Sequence, residues 1–201
     1  REGKADVVMK GQLHTDVFMK AMLSKDEGIR DGKRFIHVFH MSLPDVDKPL
    51  LISDGAVNVL PDLKTRQTAV QEVVSMLKKL GNPKPKIGIL SATEEPIASV
   101  PSSIEAKELA DWANENVSDA VVSGPLALDL MLSPESAAIK GKSDDPVAGC
   151  ADAVIVPDIV SGNVLFKSLV YLRGACAAGV VVGGKVPVIL TSRADPPEAR
   201  L

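Results

Sequence analysis

The sequence predicts an α/β protein with three layers, α/β/α, around a mixed and mostly parallel sheet. Short runs rich in Val, Ile and Leu alternate with helical patterns along most of the 201 residues. The connections between these elements are short. Aromatic residues make up only 3% of the chain and hydrophobic residues 45%, so the core has to be built from aliphatic side chains. Buried parallel strands and their covering helices have that composition.

The strand candidates are runs of β-branched and aliphatic residues bounded by Gly, Pro, Asp or Ser. They cover 5–9, 34–41, 49–53, 86–90, 119–123, 152–157 and 186–190. Segment 176–184 could be a further strand, but its glycines leave that open. The loop between 34–41 and 49–53 is too short for a crossover helix, so we expect that pair to be antiparallel.

Three segments carry helical spacing of apolar residues, at 61–81, 102–116 and 161–175. In the first, Asp62 is placed to open the helix and Gly81 to stop it. In the second, Ser102 and Glu105 have the spacing of a capping box. The polar, Gly- and Pro-containing segment 140–149 is expected to be a mobile connection.

Charge and targeting signals exclude several function classes. The net charge is −3 and the basic residues are dispersed, which argues against a nucleic acid or an anionic membrane as partner. No apolar run approaches the ~20 residues needed to cross a bilayer. Cys150 and Cys176 stand apart from each other and from a ligand set, and are expected to be reduced thiols of a cytoplasmic protein.

Common catalytic and metal motifs are missing from the chain. It has no phosphate-binding P-loop, no dinucleotide fingerprint, no HExxH and no GxSxG. His14, His37 and His40 are not spaced as a ligand cluster, so we expect no metal. We expect His37 and His40 to pack in the protein or face solvent.

Polar residues follow five of the predicted strands. Each one alone suits a turn or a helix cap, but a parallel sheet would direct all of these strand ends to one edge, where α/β proteins bind ligands. The residues are Lys10, His14 and Thr15; Asp54 and Asn58; Asp129; Asp158, Ser161 and Asn163; and Ser192, Arg193 and Asp195.

The last of these groups has the pattern of an anion site. Asp195, two prolines and Glu198 resemble the start of a helix, which would place Ser192 and Arg193 between a strand end and a helix N-terminus. Amide donors, the helix dipole and a guanidinium suit a phosphate there. An arginine that braces the loop through Asp195 or Glu198 is an equal alternative.

Taken together, five blocks resemble the phosphate acetyl/butyryl transferase (phosphotransacylase) family, in particular its butyryltransferase-like branch. They are MKGQLHT (9–15), PLLISDGAVNVLPDL (49–63), SGPLALD (123–129), PDIVSGNVLFKSLVYL (157–172) and VILTSRAD (188–195). The resemblance implies two α/β/α domains of the isocitrate/isopropylmalate dehydrogenase-like fold, and a chain that lacks the N-terminal part of its relatives. Residues 34–190 would then form the second domain, with 1–33 and 191–201 belonging to the first.

The resemblance also implies an enzyme that moves an acetyl or butyryl group between coenzyme A and phosphate, through a ternary complex without a covalent intermediate. Ser192 and Arg193 would bind the phosphoryl group and Asp195 would act as base. The aspartate proposed as base in the acetyl branch lies nearer Glu198, where this chain has none. The implied substrate-binding residues are Lys10, His14, Thr15, Lys20 and Asn163.

The same resemblance implies no cofactor beyond the substrates coenzyme A and phosphate, a homodimer or larger homo-oligomer, and a cytoplasmic enzyme. Two alternatives stay open. The chain could be a non-catalytic acyl-CoA-sensing domain of a larger or fused enzyme. It could also be a metal- and nicotinamide-dependent dehydrogenase, which would need clustered acidic ligands, whereas Asp144 and Asp145 look like a solvated turn.

Overall fold

The computed structural model describes residues 2–190, and within them eight strands form a single sheet. The strand order across the sheet is β1-β8-β7-β2-β3-β6-β4-β5. The strands are β1 (Val8–Met9), β2 (Ile36–Leu43), β3 (Val46–Ser53), β4 (Lys86–Leu90), β5 (Val121–Leu126), β6 (Ala153–Ile155), β7 (Cys176–Val182) and β8 (Val188–Ile189).

Six helices connect the strands in this part of the chain. They are α1 (Thr15–Met22), α2 (Leu63–Lys79), α3 (Pro101–Asn116), α4 (Leu128–Leu132), α5 (Pro134–Ile139) and α6 (Ile159–Arg173). The pattern predicted α2, α3 and α6. The shorter α1, α4 and α5 were not predicted, because a helix of one or two turns shows too little periodicity to be recognised.

The sheet is mixed, and four of its seven pairings in the described residues are parallel: β1–β8, β3–β6, β4–β6 and β4–β5. Strands β2 and β3 form the antiparallel pair expected from their short loop. Segment 176–184, which the sequence left open, contains β7. Strand β7 pairs antiparallel with both β2 and β8.

Helices cover both faces of the sheet, as the predicted three layers require. On one face, α2 and α3 pack against residues of β2 to β6 such as Val38, Leu51 and Ile87. On the other, α4, α5 and α6 pack against Met41, Ile52 and neighbouring residues. Alternate residues of one strand thus enter opposite cores, as a strand buried on both faces requires.

Helix α2 begins where a local hydrogen bond predicts it, whereas the predicted start of α3 is replaced by contacts with distant residues. The Asp62 side chain accepts a hydrogen bond from the Thr65 amide and opens α2 as predicted. The prediction of a capping box at Ser102 and Glu105 was wrong, because α3 begins after Val100 and has no side-chain cap. Ser102 instead pairs with the Ser91 hydroxyl, and Glu105 forms an ion pair with buried Arg66 at 2.7 Å.

Segment 140–149 is irregular but tied to its surroundings. Val147 is fully buried, and Asp145 accepts from the amides of Val147 and Ala148. The mobility expected of this segment remains a prediction. Among the described residues, no helix is long and apolar enough to cross a membrane.

Candidate functional site

Asp54, the first residue after β3, is a buried carboxylate surrounded by donors. One oxygen accepts from the amides of Ala56 and Val57, both at 2.9 Å. The other accepts from the His37 amide at 2.9 Å and from the Asn58 side chain at 2.6 Å. Four donors on one carboxylate fix the loop after β3, so Asp54 acts here as the turn residue that its sequence position allows.

Helix α6 begins directly beside this loop. Its N-cap is Asp158, which accepts from the Ser161 amide and hydroxyl. Gly162 in its first turns packs on Gly55, since a Cβ on Gly162 would come 2.7 Å from the Gly55 Cα and 3.1 Å from the Asp54 carbonyl oxygen. The ends of β3 and β6 thus meet in one packed unit.

Asn163, predicted to bind substrate, is the next residue of α6 and is partly exposed. It therefore lies beside the loop after β3, as the strand-end argument required. Asp129 does not join this group through a contact that the structure shows. It lies on α4 and pairs with Lys140 at 3.0 Å, and hydrogen bonding from Lys140 lowers the pKa of its carboxyl.

A second group of predicted residues follows β1. Lys10 is buried, and its ammonium donates to the carbonyls of Gly11 and Leu13, both at 3.2 Å. His14 is the N-cap residue of α1, and Thr15 is the first residue of that helix. Together with Lys20 in the last turn, both are exposed.

The expectation that all strand ends point to one edge was wrong. Strand β7 runs antiparallel to β2, and β8 runs antiparallel to β7. Strands β1 and β8 therefore run opposite to the parallel block β3, β4, β5 and β6. The groups after β1 and β8 leave the sheet in one direction, and those after β3, β5 and β6 leave it in the other.

His37 lies between these two groups and was not predicted as a site residue. Its ring is fully buried on the α6 face of the sheet, 4.2 Å from the Phe39 ring centroid. Burial lowers the pKa of the His37 imidazole to about 4, against a partial rise from the Asp54 carboxylate. Of the two outcomes expected for His37, packing is the correct one, but no local pattern showed that it would contact the loop after β3.

Three of the predicted site residues, Ser192, Arg193 and Asp195, lie outside the described residues. The structure describes the chain up to Leu190, whose amide donates to the Gly179 carbonyl at 3.0 Å. The roles expected for these three residues stay predictions. Within residues 2–190, no group of three or more His, Cys, Asp or Glu side chains could hold a metal ion, and the expectation of no metal also stays a prediction.

The fold is that of an α/β protein with a mixed sheet and candidate ligand-binding loops at the ends of its strands. The family model described as "Phosphate acetyl/butaryl transferase" matches residues 1–199. The chain therefore belongs to the phosphate acetyl/butyryl transferase family, as its sequence blocks predicted.

Named relatives and a solved structure agree with this assignment. The chain is 42% identical, over its whole length, to a phosphate acetyltransferase of Rhizobium meliloti, of which it covers 64%. It is 38% identical to a phosphate butyryltransferase of Clostridium acetobutylicum, with 99% of this chain and 66% of that protein covered. The crystal structure of a branched-chain phosphotransacylase from Enterococcus faecalis V583 superposes with a TM-score of 0.87 at 39% identity, over 96% of this chain and 69% of that one.

The chain thus spans somewhat less than two thirds of the length of the Rhizobium meliloti enzyme. Relatives named for acetyl transfer and for butyryl transfer match it at similar identity. None of these comparisons favours the non-catalytic sensing domain or the dehydrogenase.

Proposed function

We propose that the whole protein transfers a short acyl group, acetyl or butyryl, between coenzyme A and inorganic phosphate. The observation that carries this proposal is the match of the family model to residues 1–199, which leaves almost none of the chain unaccounted for. The structure supports it through a fold with strand-end loops of the kind that hold ligands in α/β proteins.

The phosphate site is assigned to Ser192 and Arg193, directly beyond the end of β8. A guanidinium binds a phosphate through two parallel charge-assisted hydrogen bonds, which an ammonium cannot do. Lys10 supports this assignment, because it follows β1 and β1 is paired with β8 along Met9 and Ile189. His14, Thr15 and Lys20 on α1 are assigned to the same substrate cleft, and their exposure leaves them accessible to a ligand.

Asn163, beside the ends of β3 and β6, is also assigned to substrate binding. It lies next to Gly162, which packs on the loop of Asp54, so its position is set by that contact.

The proposed reaction needs one proton transfer and one acyl transfer. A carboxylate, assigned to Asp195, takes the proton of the coenzyme A thiol, and the thiolate attacks the carbonyl carbon of the acyl phosphate. A carbon–sulfur bond forms, the bond from that carbon to the phosphate oxygen breaks, and phosphate leaves. Arg193 and Ser192 stabilise the negative charge that collects on the leaving phosphate.

The remaining expectations belong to the same proposal. Residues 34–190 form the second domain, and 1–33 with 191–201 belong to the first. The enzyme is placed in the cytoplasm as a homodimer or larger homo-oligomer. Both cysteines are free, which fits a reducing compartment.

The test is release of coenzyme A from a panel of acyl-CoAs by the whole protein, with and without inorganic phosphate. We expect release that depends on phosphate and is fastest with one of the short acyl chains. Binding of acyl-CoA without phosphate-dependent release would show a sensing domain and contradict the proposal. Release that is equally fast without phosphate would show a hydrolase.

A further inference from the structure

His37 is a fully buried histidine whose two ring nitrogens have no hydrogen-bond partner among residues 2–190. A neutral imidazole carries one N–H donor and one acceptor, and leaving both unpaired away from water is unfavourable for folding. Phe39 beside it shows that an aromatic hydrocarbon fits this core. Packing alone therefore does not explain a histidine at this position.

The backbone of His37 is tied to the end of β3. Its amide donates to the Asp54 carboxylate at 2.9 Å, and its carbonyl accepts from the Ser53 hydroxyl at 2.9 Å. Both partners are buried. A shift of His37 would thus be passed to the loop that Asp54 organises.

The ring of His37 faces the end of β8. Gly179 on β7 lies opposite Phe39, on the face of the sheet that the His37 ring occupies. A Cβ built on Gly179 would come 2.9 Å from His37 Nε2 and 2.8 Å from the Leu190 carbonyl oxygen. The ring nitrogen and this carbonyl therefore border the same small space, which a glycine keeps open.

We propose that His37 is a positioning residue for phosphate binding: its Nε2–H donates to the Leu190 carbonyl when phosphate binds, and so fixes the end of β8 relative to the Asp54 loop. This inference rests on the proposed function. Leu190 directly precedes Thr191, Ser192 and Arg193 in the sequence, so a fixed Leu190 restricts where the assigned phosphate ligands can start. A positioned ligand loses less conformational entropy on binding phosphate.

The electrostatics of the ring fit a donor that stays neutral. Because burial lowers the pKa of His37 to about 4, the ring is uncharged near pH 7 and holds a single N–H. The Asp54 carboxylate, just after β3, is the charged group that opposes this lowering of the His37 pKa.

The test compares His37→Phe and His37→Gln in the whole protein, with His40→Phe as control, since His40 lies on the same strand but is only partly buried. In His37→Phe we expect the KM for phosphate to rise about tenfold, the factor that one hydrogen bond of ordinary strength represents. The KM for acyl-CoA should stay close to that of the wild type, and the melting temperature should not fall, because the substitution removes two unpaired buried nitrogens. His37→Gln, which keeps an N–H donor, should recover part of the phosphate KM.

A second readout does not depend on activity. In ¹⁵N spectra of the histidine ring, adding inorganic phosphate should shift the His37 Nε2 resonance as the hydrogen bond forms, and leave His40 unchanged. Gly179→Ala should raise the KM for phosphate as well, because its Cβ would occupy the space that the ring and the carbonyl share. If His37→Phe fails to fold, Gly179→Ala still tests the proposal.

Three results would overturn the proposal: an unchanged phosphate KM in both His37→Phe and Gly179→Ala, a His37→Gln enzyme as poor as His37→Phe, or a His37 ring signal that ignores phosphate. Wild-type protein without phosphate-dependent coenzyme A release would instead refute the proposed function itself. The two failures can be told apart, because the results that overturn the role of His37 are measured against a wild-type enzyme that is active.

Discussion

Gly162 on α6 and Gly55 after β3 approach so closely that a Cβ on Gly162 would come 2.7 Å from the Gly55 Cα. Backbone atoms on both sides leave little room for adjustment. The contact joins the Asp54 loop to the helix that carries Asn163, and makes the two strand ends one unit.

Gly162→Ala should therefore destabilise the protein, although alanine is the better helix former by ~1 kcal/mol. Overpacking against fixed backbone costs about 1–3 kcal/mol, so we expect a net loss of up to roughly 2 kcal/mol in the free energy of unfolding. Urea denaturation measures it. Gly11→Ala is the matched control, since a Cβ there meets nothing within 4 Å. Equal free energies of unfolding for the two variants would show that the contact between Gly162 and Gly55 adjusts at little cost.

Asp54→Asn should be the most destabilising conservative change near the site. The amide group of asparagine would turn one acceptor into a donor that faces N–H groups, whichever oxygen it replaces. Hydrogen bonds to charged groups contribute about 1.5–3 kcal/mol each, so we expect a loss of roughly 3 kcal/mol or more. The control Asp47→Asn changes an exposed residue of β3, the strand that Asp54 follows, and should alter stability by less than about 0.5 kcal/mol. A loss confined to activity, with stability intact, would assign Asp54 to chemistry instead.

Stability should fall in acid because of His37. Its pKa is about 4 in the folded protein and 6.5 ordinarily, so between these values the unfolded chain binds a proton that the folded protein does not. The contribution is complete above pH 6.5 and is lost as the pH falls to about 4. It amounts to about 3 kcal/mol at 1.36 kcal/mol per pKa unit.

The measurement is the free energy of unfolding between pH 4 and pH 7, in wild type and His37→Phe. Carboxylates contribute to acid unfolding in both proteins, so the difference between the two curves isolates His37. We expect the loss on acidification to be smaller in His37→Phe and unchanged in His40→Phe. Parallel curves for wild type and His37→Phe would mean that folding leaves the pKa of His37 unchanged.

Arg193→Ala should lower kcat/KM by about tenfold to a few hundredfold, because it removes charge-assisted hydrogen bonds of about 1.5–3 kcal/mol each. Arg193→Lys should recover part of the loss, since the charge returns without the planar fork. Added phosphate should stabilise the alanine variant less than the wild type in thermal melts. The exposed Arg173, which pairs with Asp45 at 3.8 Å, provides the control Arg173→Ala. A lower melting temperature for Arg193→Ala with turnover intact would show that this arginine only braces its loop.

Much of the fold could be predicted from short-range patterns. The alternation of apolar runs with helical spacing predicted seven of the eight strands and the three long helices, and the short loop predicted the antiparallel pair β2–β3. Asp62 was recognised as a helix start because its partner, the Thr65 amide, lies only three residues away. The family, too, could be recognised from five blocks of sequence, and its model matches residues 1–199.

The direction of β1 and β8 was decided only by the tertiary structure. Both runs are short and apolar, and nothing in them indicates that their pairing through β7 sets them antiparallel to β3, β4, β5 and β6. The expectation that all candidate ligand-binding residues lie at one edge of the sheet was wrong because the sequence does not show these strand directions. The capping box failed for a related reason, because Arg66, far away in the sequence, draws Glu105 into an ion pair.

The sequence by itself determined the elements, their caps where the partner is a near neighbour, and the family. These depend on hydrogen bonds and periodicities that span a few residues. Only the tertiary structure decided the strand order, the two separate groups of strand ends and the burial of His37 between them. Such features arise from pairings between residues far apart in the chain, for instance His37 with Asp54 and Gly179 with Leu190, and no local pattern encodes which of the possible pairings buries the most surface.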